Sequence, residues 1–579
     1  MWRSRDRAQN APMRWRRLAG PVFLVTAWCV AVALVGPRGD FPLSDDWAFA
    51  HASRSLCRGD GLDLLPWTGA SLLLQAAYGA VLCWLFGSSY EVLRASSLIL
   101  GAAGLLAFYD LVRRLGAPRS QATAAAALLA ANPLYFNLSF TFMTDLPFAV
   151  LALMSAAAYA RGLSRQRPSA LFSGGALAAA ALLVRQHGIF IAAAAAAAAL
   201  LAAGVPLRTR VRNAACAALL PLIAAAAYVV WIASGLGVPQ AVHNKVSEAT
   251  STPLLGIGNA AFRGLVTLGF LLAPLAVASR PHGARERRIA IAATAVLGAV
   301  ALFLYLREGA LMFYLTNVLY DLGVGCVTLR DAFFLAMDRL PRAGIALRLP
   351  LTAASVVSAG ILIARWSTLV KRLRDPLTSF VLLAFVLSAL GSLAQSAYYF
   401  DRYLIAIAPL GLAAAVAARP GTVSGRAAWL LTALMALFSV AGTHDWMEWN
   451  RARWSLLDAL EAHGVAATSI DGGMEYNAER LAARLRTSPS DVAVKPGQPQ
   501  SVRSWWWVVD DEWIVSFGPL DGYSIAQQRP WTRWLPPRDD RVLLLHRISR
   551  FARNEPADDS QSSGGDVPAG TRSSTDGPR

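Results

Sequence analysis

Long apolar segments recur along this chain, and short gaps that are rich in arginine separate them. Each segment is close to the roughly 20 apolar residues that a helix needs to cross a bilayer. Thirteen of them lie at 18–35, 92–111, 121–138, 146–163, 169–184, 188–204, 214–234, 258–278, 289–306, 350–366, 377–395, 404–418 and 427–443. This repetition predicts an all-α polytopic membrane protein with about 13 transmembrane helices.

The composition agrees with a membrane protein. Of the 579 residues 55% are hydrophobic and only 16% are charged, with a mean hydropathy of +0.43 and a formal net charge of +18. In a soluble protein that positive charge would indicate a nucleic-acid partner. Here the arginines cluster in the gaps between apolar segments, which is the positive-inside pattern of membrane proteins. We therefore expect the lipid bilayer, and no nucleic acid, as a partner.

One further apolar segment, 69–86, determines the topology. If 69–86 crossed the bilayer, the basic gap at 112–120 would lie outside and every later loop would invert. If it lies along the outer surface, 25 of the 54 Lys and Arg residues fall in inner loops. The charge rule therefore favours thirteen spans in the cell (inner) membrane, with the N-terminus cytoplasmic and the C-terminal part extracytoplasmic. A cleaved signal peptide is the alternative for the first segment, but the many later spans favour a retained helix.

The chain divides into four parts by composition. Residues 1–18 form a basic cytoplasmic N-terminus, and 19–443 form the transmembrane domain with an outer loop at 36–91. Residues 444–550 contain an amphipathic helix closed by Gly464 and aromatic, β-branched strands, which predicts a small α/β extracytoplasmic domain. The end, 551–579, is rich in Ser, Gly, Asp and Pro and is predicted to be disordered.

Two acidic sites fall on the predicted outer face. Asp45 and Asp46 follow the first span in "PLSDDW", and either could serve as a general base that deprotonates an acceptor hydroxyl. The alternative is a helix N-cap, with Ser44 or Asp45 capping a surface helix. Asp145 in "TFMTDLP" has the same two interpretations, because Pro147 suits the first turn of a helix. Separated acidic sites of this kind could share a divalent cation, Mg or Mn, or flank a substrate.

Basic residues on the same face are candidates for binding a phosphate. Arg185 and His187 interrupt an apolar stretch in "VRQHG", and Arg402 lies in "YYFDRY". Arginine offers two parallel N–H donors to a phosphate. A helix–helix turn and an interfacial aromatic belt are the alternative explanations. His243 and Lys245 in "VHNKVSE" are acceptor or loop candidates, although an exposed loop pair without function is the commoner explanation.

Four stretches in this order resemble the integral-membrane GT-C glycosyltransferases. They are "SDDWAFAHASRSL", "FTFMTDLPFAVLALMSAAAYARGL", "LLVRQHGI" and "YYFDRYLIAIAPL", and "IDGGMEYNA" near the C-terminus resembles a stretch of bacterial members. The resemblance covers roughly residues 15–480 and is greatest to the branch that contains protein O-mannosyltransferases and the lipid A aminoarabinose transferase.

The resemblance implies roles for particular residues. The catalytic carboxylate of the family lies in the first outer loop, at Asp45-Asp46 here, and a second acidic residue linked to metal or donor binding matches Asp145. The donor is a sugar on a polyprenyl phosphate, which the enzyme meets from within the bilayer. Relatives often have Lys where this chain has Arg185-Gln186-His187, so the phosphate contact departs from the family pattern.

The sequence therefore predicts a membrane glycosyltransferase that moves a sugar from a polyprenyl-phosphate donor to an extracytoplasmic hydroxyl of a lipid, glycan or protein. Asp-assisted displacement would invert the anomeric carbon. The alternatives are a polysaccharide polymerase or ligase, a lipid or solute transporter, and a non-catalytic scaffold. A transporter would need polar groups near mid-membrane, and the predicted spans contain few.

Overall fold

Helices make up most of the chain, as the apolar segments predict. The computed structural model describes residues 5–235, 237–251, 253–279, 281–335, 337, 339–394, 399–420, 425–482, 508 and 510–548. The helices are α1 (Arg5–Val35), α2 (Asp46–Arg58), α3 (Leu73–Phe86), α4 (Tyr90–Arg114), α5 (Arg119–Ala131), α6 (Pro133–Leu138), α7 (Asp145–Arg165), α8 (Pro168–Val184), α9 (Gly188–Leu201), α10 (Leu207–Ser234), α11 (Gln240–Ser251), α12 (Leu254–Leu271), α13 (Ala273–Ala278), α14 (Gly283–Glu308), α15 (Arg330–Phe333), α16 (Ile345–Ser367), α17 (Pro376–Leu393), α18 (Leu404–Ala418), α19 (Arg426–Ala462) and α20 (Met474–Leu481).

Within the described residues, ten helices are long and apolar enough to cross a membrane. They are α1, α4, α7, α10, α12, α14, α16, α17, α18 and α19, where α16 and α18 each include a neighbouring 3₁₀ turn. The other three predicted spans form shorter helices: α8, α9 and the pair α5 and α6. That pair is broken at Asn132, whose side chain caps α6 before Pro133. The segment 69–86, predicted to lie on the outer surface, contains the 14-residue helix α3.

The most buried spans are α7 and α18, which lie at the centre of the bundle. Both begin at the same end of the molecule, α7 at Asp145 and α18 just after the 3₁₀ turn Asp401–Tyr403. Helix N-termini carry partial positive charge from unpaired backbone N–H groups. The two central helices therefore present residues of the predicted acidic and basic sites at a common end of the bundle.

A small sheet follows the helical bundle, as predicted for the C-terminal part. Its strands β3 (Ile470–Asp471), β4 (Trp513–Ser516), β5 (Tyr523–Trp534) and β6 (Pro537–Arg547) are ordered β3-β4-β6-β5, with β3 and β4 parallel and the other pairs antiparallel. A separate two-stranded ribbon joins β1 (Leu319–Tyr320) to β2 (Gly323–Val324). The short stretches "VAATSIDGG", "SWWWVVDDEWIVSF" and "RVLLLHRI" predict strands where β3, β4 and β6 are found. The sequence misses β5, since this edge strand is mostly exposed and contains Pro530, which only an edge tolerates.

The last span and the amphipathic helix that follows it form one continuous helix. α19 runs for 37 residues across position 443, where the sequence predicts a domain boundary. No proline or glycine interrupts residues 443–451, so nothing in that stretch ends the helix. Part of 444–550 and all of 551–579, including the predicted tail, lie outside the described residues.

Candidate active site

A cavity of about 820 Å³ lies at the end of the bundle where the predicted outer connections meet. Its walls come from stretches that are far apart in the sequence: Ser44, Asp45, Phe49, Trp67, Gly69, Ala70, Met143, Thr144, Arg185, Ala241, Asn244, Lys245, Thr316, Asn317, Tyr320, Cys326, Val327, Thr328, Ala332, Phe333, Phe400, Arg402, Tyr403 and Met474. The volume is that of a small-ligand site. Four of the sequence-predicted site residues line it: Asp45, Arg185, Lys245 and Arg402.

Asp45 faces this cavity. It immediately precedes α2, yet its side chain makes no capping hydrogen bond to that helix. Instead Trp67 Nε1 donates to Oδ1 at 3.1 Å, and Arg402 Nη1 donates to Oδ2 at 2.9 Å. The side chain remains 15% exposed. Asp45 is therefore an accessible carboxylate held on two sides, which the helix-cap interpretation does not explain.

Asp46 faces the opposite way. It is 2% exposed, and its two oxygens accept backbone N–H groups from Leu43 at 2.7 Å and Phe142 at 3.3 Å. Burial raises the pKa of its carboxyl well above the usual range, although these hydrogen bonds oppose the shift. Asp46 thus ties the first outer loop to the turn before α7. Adjacent in sequence, the two aspartates have separate positions and separate surroundings.

Asp145 lies behind the cavity wall in contact with arginine. It is completely buried in the first turn of α7, and Arg185 donates to its Oδ1, while no hydrogen bond from any of the described residues reaches Oδ2. The Arg185 guanidinium also lies over the ring of Tyr403, 5.5 Å from its centre. Arg402 interacts electrostatically with both Asp45 and Asp145. The two acidic sites of the sequence are therefore bridged by arginine.

Lys245 adds a third cation from α11. Its Nζ donates to the carbonyl of Gly69 at 2.8 Å. Burial, together with the charges of Arg185 and Arg402, lowers the pKa of Lys245 to about 7, against the opposing pull of the two carboxylates. Three cations thus face two carboxylates. Such a balance favours an anionic ligand.

The two predicted histidines lie away from the cavity. His187 packs against the rings of Phe148 and Phe190, with centroids 6.3 Å and 5.9 Å away. Burial, followed by the charges of Arg185 and Lys245, lowers its pKa to about 3, so the imidazole is neutral at physiological pH. His243 is exposed on α11 and is not among the lining residues. Neither histidine is placed to contact a ligand in the cavity.

The acidic residues do not fit a divalent cation. Over the described part of the chain, no group of three or more His, Cys, Asp or Glu side chains is arranged to hold a metal ion. Asp45 and Asp145 each pair with an arginine, and Lys245 adds further positive charge nearby. Mg²⁺ and Mn²⁺ bind in proteins chiefly through carboxylate oxygens, supplemented by carbonyl and water oxygens, and here arginine already occupies the carboxylates. The metal role that the sequence suggests for Asp145 gains no support from this donor set.

Several cavity residues carry no recognisable signal in the sequence. Trp67 holds Asp45, and the loop 307–349 contributes Asn317, Tyr320 and Thr328 to the wall. Met474 belongs to the "IDGGMEYNA" stretch, so the C-terminal part also reaches the cavity. The resemblance of this stretch to bacterial family members is a sequence signal for Met474, but it does not reveal which residue of the stretch contacts the cavity.

Part of the chain matches a known protein family. Residues 75–231 match the family model described as dolichyl-phosphate-mannose-protein mannosyltransferase. This segment includes Asp145 and Arg185 and runs from α3 into α10. Comparison with curated proteins gave no significant match.

Comparison with solved structures matched three enzymes whose chain fold is partly similar to that of this protein. ArnT from Cupriavidus metallidurans is 12% identical with a TM-score of 0.41, over 92% of this chain and 98% of that one. The Archaeoglobus fulgidus oligosaccharyltransferase, tethered to an acceptor peptide, is 13% identical with a TM-score of 0.38, over 76% and 57%. The arabinosyltransferase EmbB of Mycobacterium smegmatis is 14% identical with a TM-score of 0.32, over 76% and 42%. The match thus spans little more than half of the oligosaccharyltransferase.

The long apolar helices of the described residues indicate a multi-pass membrane protein. The resemblance to GT-C glycosyltransferases found in the sequence is supported over residues 75–231, which the family model matches. No residue role is carried over from the compared structures, because identities of 12–14% are too low for that.

Proposed function

We propose that this protein transfers a sugar from a polyprenyl-phosphate-linked donor to an extracytoplasmic hydroxyl of a lipid, glycan or protein. The observation that carries the proposal is one cavity in which the accessible carboxylate of Asp45 faces three cations, Arg185, Lys245 and Arg402. A phosphate ester needs cations, and a hydroxyl nucleophile needs a base. The matched family model, which is named for a dolichyl-phosphate sugar, supports the same donor class.

The proposed step is a direct displacement at the anomeric carbon. The acceptor oxygen attacks that carbon, and its proton passes to the Asp45 carboxylate. The bond between the anomeric carbon and the phosphate oxygen breaks, and the lipid phosphate leaves with the electron pair. Arg185, Lys245 and Arg402 stabilise its developing negative charge. Attack opposite to the leaving group inverts the configuration.

Donor binding would also release the base. In the free protein one oxygen of Asp45 is bound by Arg402 at 2.9 Å. A donor phosphate offers Arg402 a second anionic partner and competes for its N–H groups. Asp45 then retains its contact with Trp67 and presents its free oxygen to the acceptor. Asp46, with both oxygens bonded to backbone, has no part in this step.

The proposed orientation places the cavity on the extracytoplasmic side of the cell membrane. Its support is the predicted inner position of the arginine-rich gaps, which follows the positive-inside rule. A reporter enzyme that is active only outside the cytoplasm should therefore be active when fused after residue 548. The same reporter fused in the 205–213 gap should be inactive, and the reverse pattern would contradict the orientation.

A single substitution tests the role of Asp45. In Asp45→Asn, transfer from polyprenyl-phosphate sugars should fall by about 100-fold or more, which is the usual contribution of a general base. Binding of polyprenyl phosphate should remain, because the three cations are unchanged. The measurement is sugar transfer by purified protein in liposomes, with lipid binding measured in parallel.

Asp63→Asn is the matched control, since Asp63 pairs with His51 at 2.9 Å and is not among the cavity residues. This variant should transfer sugar at the parental rate. Parental transfer by Asp45→Asn would refute the proposed base. Movement of the intact lipid-linked sugar across the liposome membrane without transfer would favour the transporter alternative.

A further inference from the structure

A buried glutamate from the C-terminal part contacts the turn that carries Asp45. Glu475, the second residue of α20, is 1% exposed. Its Oε1 accepts the backbone N–H of Ser44 at 3.1 Å. Its Oε2 accepts from Thr328 Oγ1 at 2.6 Å and from Arg453 Nη1 at 2.9 Å. One carboxylate therefore joins the first outer loop, the 307–349 loop and α19.

The residue that Glu475 holds has an unfavourable backbone conformation. Ser44 has φ of 58°, in the left-handed region that residues other than glycine rarely adopt. A conformation of this kind persists only where surrounding contacts enforce it. The hydrogen bond that the Ser44 N–H donates to Glu475 Oε1 is one such contact. Ser44 Oγ, 3.4 Å from Cys326 Sγ, makes another.

The direction of Asp45 depends on this turn. Asp45 follows Ser44 directly, and its carboxylate is aimed at Trp67 and Arg402 while that of Asp46 is aimed inward. A change in the Ser44 dihedral angles would rotate this pair. By holding the Ser44 N–H, Glu475 therefore helps to fix the direction of the carboxylate of the next residue, Asp45.

Glu475 itself is rigidly held. Arg453, which is fully buried in α19, donates through Nε to the carbonyl of Gly472 at 2.7 Å as well as to Glu475. Asp471 accepts from the backbone N–H of Gly473 at 3.2 Å and from Asn477 Nδ2 at 3.0 Å. The "IDGGMEYNA" stretch is thus a hydrogen-bonded turn whose contacts all act to place α20. These hydrogen bonds hold α20 against α19 and against the turn that precedes it.

We propose that Glu475 is a positioning residue for the base, and that the C-terminal part is an integral wall of the active site. The proposal rests on the proposed function of Asp45. In this proposal the C-terminal part helps to position the base. A domain that only covered the cavity, or only bound a partner, would not do so. Glu475 does not line the cavity and does not touch a substrate there; its effect reaches the site through Ser44.

Glu475→Gln tests the contact with little change in volume. An amide has one acceptor oxygen where the carboxylate has two, so its NH₂ group must face a donor: Ser44 N–H, or Thr328 and Arg453. The matched control is Glu479→Gln, one turn further along α20. Glu479 pairs with Arg54 at 2.8 Å and Tyr90 at 2.7 Å, so this variant also removes a paired, partly buried charge between α20 and its neighbours but leaves Ser44 untouched.

Two measurements follow on the full-length protein in liposomes. In Glu475→Gln, kcat for transfer should fall about 10- to 100-fold, the effect of misplacing a reacting group by about 1 Å, while the KM for the donor stays close to parental. Hydrogen–deuterium exchange at the Ser44 amide should accelerate roughly tenfold, since a bond to a charged acceptor is lost. Glu479→Gln should show neither change, although it also lowers the thermal unfolding midpoint.

The exchange measurement separates this proposal from the proposed function. If the parental protein transfers no sugar from any polyprenyl-phosphate donor, the function fails, and faster Ser44 exchange in Glu475→Gln would still support the contact. Unchanged exchange, or an equal loss of kcat in both glutamine variants, would overturn the positioning role.

If Glu475→Gln does not fold, Thr328→Val is the second variant, because it removes one of the donors to the Glu475 carboxylate. A smaller loss of kcat with faster Ser44 exchange is then expected.

Discussion

At the scale of single residues, Asp45 and Asp46 show that neighbours in the sequence can have different partners and different exposure. Asp45 is held by Trp67 and Arg402 at the cavity, whereas Asp46 is buried under two backbone N–H groups. The two aspartates directly follow Ser44, whose φ is 58°, and their side chains point in different directions. The sequence offers both carboxylates as bases, and the geometry favours Asp45.

Lys245 gives the site a dependence on pH. Its pKa is lowered to about 7, so it is charged below neutrality and loses its proton as the pH rises through that value. A bound phosphodiester favours the charged form, and its affinity should therefore fall as the pH increases. Between pH 6 and pH 8.5 we expect the affinity for a polyprenyl phosphodiester to drop about fivefold, the order of one charge-assisted hydrogen bond.

Lys245→Arg provides the comparison for this pH profile. An arginine stays charged throughout the range, so its binding curve should be nearly flat between pH 6 and pH 8.5. Titration calorimetry or a lipid-binding assay in detergent measures both curves with a phosphodiester, whose single charge does not titrate there. Equal pH profiles for the two proteins would show that another group controls the binding.

At the scale of elements, short turns between buried helices carry the basic site. α8 ends at Val184 and α9 begins at Gly188, so only three residues, the first of them Arg185, lie between the two helices. A Cβ on Gly188 would lie 2.3 Å from the backbone nitrogen of Leu182 and 2.8 Å from the carbonyl carbon of Ala181. The turn can be this tight only with glycine there. The same close approach fixes the position of Arg185.

Gly188→Ala should therefore disturb both stability and binding. Relief of the clash needs a shift in the α8 backbone, at a cost of about 1–3 kcal/mol, the usual range for an overpacked site. We expect a lower thermal unfolding midpoint and weaker polyprenyl-phosphate binding. Gly258→Ala in α12 should neither lower the midpoint nor weaken binding, because among the described residues no atom beyond the adjoining residues and the helix's own backbone lies within 4 Å of the added methyl group. Equal behaviour of the two variants would argue against the strained turn.

The helices themselves were largely predictable at this scale, and the exceptions have local causes. Continuous apolar runs identify spans because hydropathy is a property of the run itself. The break at Asn132 and the continuity of α19 depend on capping and on a missing helix stop, which hydropathy does not register. The strand β5 was missed because an exposed edge strand lacks the apolar alternation of a half-buried one.

At the scale of the whole molecule, the cavity is an assembly of distant segments. Arg402 bonds to Asp45 across 357 positions, and Glu475 bonds to Ser44 across 431. The positive charges within it come from α11, from the end of α8 and from the turn before α18. Its balance of charge, which favours a phosphate, is therefore a property of the assembled fold.

That balance predicts activity without a divalent cation. Transfer should be unchanged after treatment with EDTA and unchanged again on adding Mg²⁺ or Mn²⁺, because Arg185, Lys245 and Arg402 already neutralise the leaving phosphate. Sugar transfer in liposomes, measured with and without chelator, checks this expectation. Loss of transfer with EDTA and recovery with Mn²⁺ would show that a metal acts at the site.

The sequence by itself determined the class of the protein: a polytopic membrane protein, the approximate position of its spans and its resemblance to GT-C glycosyltransferases. These follow from hydropathy, charge and motif order, which can be read along one dimension. Only the tertiary structure separated Asp45 from Asp46, brought Arg402 and Lys245 to Asp45, and placed Glu475 behind Ser44. The physical reason is that the direction of a side chain and the identity of its partners depend on backbone angles and on contacts between segments hundreds of residues apart.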